Sequence, residues 1–220
     1  IYEQPAVIGD TLNSYIHPST GDISMPADVA KAIADAPRLT LIACGTAYYA
    51  CMVAKYWFEQ VVRIPCEVDV ASEFRYREAP MPEGGVAIFI SQSGETLDTL
   101  EALRYCKSQG QTILSVVNTI ESTIERESNH VLHTLAGPEI GVASTKAFTT
   151  QLTALACLTI AWARETGVID EKRETELSDA LRHVPTVAND ILNHDDTIKS
   201  FSKDVAQARD VLYLGRGGLF

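Results

Sequence analysis

Chemistry in this chain is concentrated in the run Ser91-Gln92-Ser93-Gly94-Glu95-Thr96. It follows directly on Val86 to Ile90, a continuous apolar stretch with β-branched members that reads as a central strand covered on both faces. From Glu95 to Gln109 the apolar residues Leu97, Leu100 and Leu103 recur at helical spacing, so the free N–H groups of that helix's first turn face back on the serines. Such a helix start attracts anions through unpaired N–H groups and aligned peptide dipoles, while Ser91, Ser93 and Thr96 add neutral donors. Gly94 lets the backbone come close. The arrangement suits a phosphate. Two other readings stand beside it. Ser, Gly and Thr also populate strand-to-helix turns and caps that bind nothing. Gln92-Ser93-Gly94 also has a superficial likeness to the nucleophile elbow of a hydrolase, but the elbow needs glycine two positions before its serine, where Ser91 stands, and a histidine placed to take the proton. His130 and His133 fall in or beside another strand, and His183 and His194 in a polar helical region.

The elements that position this turn alternate. A short helix is expected over Pro26 to Ala34, then strand Leu39 to Ala43 with a helix from Ala47 to Gln60, strand Cys66 to Val70, and strand Val86 to Ile90 with its helix. Strand Thr112 to Val117, a helical turn from Ser122 to Glu127, strand Val131 to Leu135 and a long helix from Ala147 to Glu165 complete the series. This pattern predicts a doubly wound parallel α/β sheet with helices on both faces, whose ligands bind outside the carboxyl ends of the strands. Two further loops belong to that edge. Cys44-Gly45-Thr46 repeats the glycine-then-hydroxyl logic, though taken alone it reads first as a tight turn with a threonine cap. The run Glu139 to Lys146 carries Ser144 and Thr145 where an N-cap falls, with Lys146 read as a solvated first-turn residue or a ligand contact. Glu95 and Glu139 read as capping or dipole-complementing carboxylates rather than as a catalytic base.

Around this core, Ile1 to about Met25 shows no sustained period and reads as a linker or surface arm. Asp170 to about Ala208 reads as charged, amphipathic helix with Leu177, Leu181 and Val184 on its apolar side, broken near Pro185. Asp210 to Leu214, followed by Gly215-Arg216-Gly217-Gly218, reads as the opening strand and turn of a further α/β unit that is cut short at Phe220. The start at Ile1 rather than methionine suggests that something upstream was removed.

Bulk composition narrows the function classes. With 220 residues, 46% hydrophobic and 21% charged, the chain can bury a substantial core. A net charge of −11 with no cluster of Lys and Arg argues against a nucleic-acid surface, so an anionic ligand has to be held by local donors in a sheltered pocket. Five cysteines without a Cys-x-x-Cys pair suggest neither a disulfide framework nor a zinc site, but buried thiols in a reducing cytosol. The apolar stretch Leu152 to Ala163 falls short of the roughly 20 residues needed to span a bilayer, and no signal peptide is visible. No metal or cofactor is called for.

At Ser91 to Thr96, Cys44-Gly45-Thr46, Glu139 to Thr149, Leu214 to Gly217 and Ala71-Ser72-Glu73-Phe74-Arg75-Tyr76, the chain resembles the isomerase half of the glutamine:fructose-6-phosphate amidotransferases, also called glucosamine-6-phosphate synthases. The serine turn alone indicates the wider sugar isomerase (SIS) family, and the Glu139 to Thr149 run narrows it. The resemblance covers essentially the whole chain. It implies a three-layer, flavodoxin-like SIS domain over residues 26–168, preceded by a linker from a glutaminase domain over 1–25. It also implies connecting helices over 169–209 and the start of a second SIS domain over 210–220. It implies that Ser91, Gln92, Ser93 and Thr96 hold a sugar phosphate, that Thr46 and Val142 contact the sugar, and that Gly45 and Ser144 join them. The residue after Thr46, commonly serine in the family, is Ala47 here. Fructose 6-phosphate and glucosamine 6-phosphate are the implied ligands, a homodimer the implied assembly and the cytoplasm the implied location. The parent enzyme is implied to make glucosamine 6-phosphate and glutamate from fructose 6-phosphate and glutamine. Its catalytic residues are expected outside this chain, leaving little turnover here. A non-catalytic SIS domain that senses a sugar phosphate, and a purely structural or dimerising role, are the alternatives.

Overall fold

A computed structural model describes residues 1–141 and 143–219. The strands are β1 (Leu39–Ala43), β2 (Cys66–Val70), β3 (Val86–Ser91), β4 (Thr112–Val117) and β5 (His130–His133). They form one parallel sheet in the order β2-β1-β3-β4-β5, the flavodoxin-like arrangement. Every residue of β1 and β3 is buried, as a continuous apolar strand requires when both faces are covered. Alternate side chains feed opposite cores: Leu39, Leu41, Val86, Ile88 and Ile90 pack into one, and Ile42, Ala87 and Phe89 into the other.

Nine α-helices are seen among the described residues: α1 (Gln4–Asn13), α2 (Ala27–Ala34), α3 (Thr46–Trp57), α4 (Ala71–Arg77), α5 (Leu97–Ser108), α6 (Thr123–Glu127), α7 (Lys146–Glu165), α8 (Glu171–Leu192) and α9 (Asp195–Val205). Helices α1, α2, α3 and α7 line the first core, whereas α4, α5 and α6 line the second, giving three layers. A π-helical turn at Phe58–Val62 extends α3 and sets Phe58 edge-on against Trp162, ring centroids 5.6 Å apart.

Four local expectations are corrected. The stretch Ile1 to Met25 is not irregular: α1 buries Val7, Ile8, Thr11 and Leu12, and Tyr15 and Ile16 follow them into the first core. Its apolar face is short and interrupted by Gly9, so it acquires order by packing on α7 and α8 rather than from periodicity. Helix α8 runs through Pro185 instead of breaking there and ends at Leu192, capped by Asn193. Pro185 removes one N–H bond, but α1 packs on the same turn, where a Cβ built on Gly9 lies 4.0 Å from Pro185 Cγ. Residues Asp210–Leu214 form no strand among the described residues, and Leu212, Tyr213 and Leu214 are more than 80% exposed, since no neighbouring strand accepts their backbone. Lys146 is buried rather than solvated, because Glu3 covers it with a 2.6 Å ion pair.

Tyr15 ties the N-terminal segment to the sheet edge by donating its hydroxyl to the His133 carbonyl at 2.6 Å. The variant Tyr15→Phe leaves that carbonyl without this donor and is expected to cost about 1 kcal/mol in urea unfolding at neutral pH. Burial pushes the phenol's pKa above its ordinary 10.0. The folded chain therefore holds this proton more tightly than the unfolded one, so the contribution is complete below pH 10 and declines as pH rises further. The gap between parent and Tyr15→Phe is expected to narrow there.

Candidate functional site

Register places the critical strand ends side by side. Ala43, the last residue of β1, lies level with Ile90 of β3. From there the chain diverges: the turn after β1 leads to α3 on the first core, and the turn after β3 leads to α5 on the second. The sheet order reverses between these two strands, which opens a crevice outside their carboxyl ends. A cavity of about 470 Å³ occupies it. Gly45, Thr46, Ser91, Gln92, Ser93, Thr96 and Ser144 all line it, so seven of the eight residues singled out from sequence come together; the eighth, Val142, lies outside the described residues.

The Ser91 to Thr96 turn is held by its own hydroxyls. Ser91 Oγ accepts from the Gly94 N–H at 3.0 Å and shares a hydrogen bond with Thr96 Oγ1 at 3.2 Å, while Ser93 Oγ accepts from the Glu95 N–H at 3.2 Å. These backbone bonds consume acceptor capacity and leave hydroxyl protons to donate. From behind, the Asn118 and Thr119 N–H groups donate to the Gln92 carbonyl, and the Ile124 N–H to the Gly94 carbonyl. Gly94 adopts φ +65°, and a Cβ there would lie 2.0 Å from Ser122 Oγ, so the close approach of α6 requires glycine. Thr96 is the N-cap of α5, so the first N–H groups of that helix open toward the turn. Gly45, at φ +60°, performs the equivalent reversal before α3.

Carboxylates near an anion site are a liability, and here each is engaged. Glu139 Oε1 accepts from the Thr145 and Lys146 N–H groups at 2.8 and 2.9 Å, and its Oε2 accepts from Ser144 Oγ at 3.1 Å, so Glu139 caps α7. Glu95 accepts from the Thr123 N–H at 2.7 Å and caps α6; that bond holds its carboxyl below the usual range. Asp98, in the first turn of α5, pairs with Arg75 of α4 at 2.7 Å. The capping expected of Glu95 and Glu139 is thus what the geometry provides. Ser144 lines the cavity with its proton already given to Glu139, which leaves it an acceptor.

Sequence reasoning missed Thr99 and Gln151, which also line the cavity and are 1% and 3% exposed. Thr99 lies one helical turn beyond Thr96, and Gln151 interrupts the buried face of α7 that runs through Ala147, Ala154 and Leu158. A polar residue on an apolar helical stripe was the available signal. Burial pushes the thiols of Cys66, Cys106 and Cys157 up to about 12, which makes them poor nucleophiles. Among the described residues no three His, Cys, Asp or Glu side chains gather as a metal site, and no helix is long and apolar enough to cross a membrane.

Over all 220 residues the chain is 54% identical to a glutamine–fructose-6-phosphate aminotransferase (isomerizing) of Brucella abortus. It is 53% identical to one of Bradyrhizobium diazoefficiens. It spans 36% of the length of each. The C-terminal domain of glucosamine-fructose-6-phosphate aminotransferase from Francisella tularensis superposes with a TM-score of 0.94 at 37% identity, over 99% of this chain and 61% of that one. The SIS domain profile matches residues 32–161, which contain every residue that lines the crevice between β1 and β3. With this match over more than half its length, and with a five-stranded parallel sheet to carry the cavity, the chain belongs to the SIS domain family.

Proposed function

We propose that this chain is the sugar-phosphate-binding unit of an isomerizing glutamine–fructose-6-phosphate aminotransferase. The observation that carries the reading is the single cavity into which the Ser91–Thr96 turn, the start of α5 and the Gly45-Thr46 turn all open. The phosphate lies against Ser93, Thr96 and the first turn of α5, where donors are concentrated and Arg75 offsets the charge of Asp98. The sugar extends toward Thr46 and Ser144. Ala47, where the resembling family commonly has serine, offers that end no hydroxyl.

The chain's share of the reaction is binding and orientation. Moving a proton between C1 and C2 of the sugar needs a base within hydrogen-bond reach, and Glu139, the carboxylate that lines the cavity, is engaged by three donors at the head of α7. Turnover therefore draws on residues other than those described here. A homodimer and a cytoplasmic location belong to the same reading, which the identity to the aminotransferases supports. Calorimetric titration tests it: saturable binding of fructose 6-phosphate, with none of fructose at the same concentrations, is the expected result. Equal binding of both sugars, or none by the folded chain, would overturn it.

A further inference from the structure

Among the described residues four buried side-chain oxygens lack a hydrogen-bond partner: Thr99 Oγ1, Ser115 Oγ, Ser122 Oγ and Gln151 Oε1. Two of the four, Thr99 and Gln151, line the one cavity between β1 and β3. A buried polar atom left unpaired destabilises the free protein, and such atoms in a binding cavity call for a partner supplied by the ligand. Most other cavity hydroxyls are differently placed: Ser91, Ser93, Thr96 and Ser144 have partners within the chain, and Thr46 is exposed to water.

We propose that Thr99 and Gln151 form a polar floor that reads the sugar's hydroxyl groups, with Gln151 as a specificity-determining residue; this rests on the assignment of the phosphate to Ser93 and Thr96. The chemistry separates the two ends of the ligand. A phosphate oxygen only accepts hydrogen bonds at neutral pH, so it cannot supply the donor that Gln151 Oε1 lacks. A sugar hydroxyl both donates and accepts, and so can supply the donor for Gln151 Oε1 and either role for Thr99 Oγ1. The two residues come from opposite layers, Thr99 from α5 and Gln151 from α7, and both reach the cavity that Ile90 at the end of β3 also lines. A floor assembled from both layers senses the ligand's shape beyond its phosphate.

The test uses Gln151→Met and Thr99→Val, each close in volume to the parent residue, in the full chain. Fructose 6-phosphate and inorganic phosphate are titrated separately, and urea unfolding is followed without ligand. Gln151→Met is expected to weaken fructose 6-phosphate about tenfold or more, to leave inorganic phosphate unaffected, and to unfold at the same or higher urea, because it replaces an unsatisfied polar atom by an apolar one. Thr99→Val is expected to show the same pattern with a severalfold loss. Unchanged fructose 6-phosphate affinity overturns the inference, as does unfolding of Gln151→Met at clearly lower urea, the behaviour of an amide already satisfied within the fold. A parent that binds no fructose 6-phosphate removes the assignment of the site and this inference with it. A parent that binds it beside an indifferent Gln151→Met removes this inference alone.

Discussion

A Ser93→Ala, Thr96→Val double variant is expected to bind fructose 6-phosphate at least tenfold more weakly than the parent while remaining folded. Each hydroxyl that donates to a phosphate in a sheltered site contributes about 1.5 to 3 kcal/mol, and 1.4 kcal/mol is already a factor of ten. Folding should suffer far less. Thr96 is the N-cap of α5 but its side chain makes no capping bond, so valine removes only its 3.2 Å hydroxyl bond with Ser91. Ser93 contributes only a 3.2 Å bond from the Glu95 N–H at a partly exposed position. Calorimetry on both proteins, with urea unfolding as the control, separates the two effects. Saturable binding unchanged by the substitutions would move the phosphate away from this turn.

Gly94→Ala is expected to destabilise the fold by roughly 2 to 5 kcal/mol, combining the cost of a left-handed backbone for a residue with a Cβ and the overpacking of a tight contact. The new methyl group would lie 2.0 Å from Ser122 Oγ and 2.4 Å from Ser122 Cβ. Ser122 offers a way to divide these costs. Its hydroxyl lacks a partner and makes no capping bond to α6, so Ser122→Gly alone should cost only a few tenths of a kcal/mol. In the Gly94→Ala background the same change should restore the share due to overpacking and leave the share due to φ. Urea midpoints of the four proteins in this cycle check it. Strict additivity would show that the approach of α6 to the turn is not what requires glycine.

Legibility of the fold followed the length of each signal. The strands were readable because β1, β3 and β4 are nearly uninterrupted apolar runs, and the order of elements then constrained the sheet to a doubly wound form. Helix α1 was not readable, since four buried side chains beside Pro5 and Gly9 leave too little periodicity in ten residues. Helix α4 was missed for the same reason: only Ala71 and Phe74 are buried in its seven residues. Pro185 misled because the rule that proline breaks a helix is local, whereas the support from α1 comes from residues far away in sequence. At the candidate site, the Ser91–Thr96 turn was legible because its residues are contiguous. Thr99 and Gln151 were harder to place, because they come from opposite layers and share a site only through the cavity at the sheet's carboxyl edge.

The split of the cavity between two cores has a mechanical consequence. The helices that carry its walls are embedded in separate apolar bodies, and β1 and β3 act as the keel they share. On the proposed assignment, a ligand lodged between Thr46 and Ser93 would work as a rivet across that keel. Its binding free energy therefore reinforces the cohesion of the whole unit rather than of one loop, and a defect that slackens either body is felt at the rivet as lost grip.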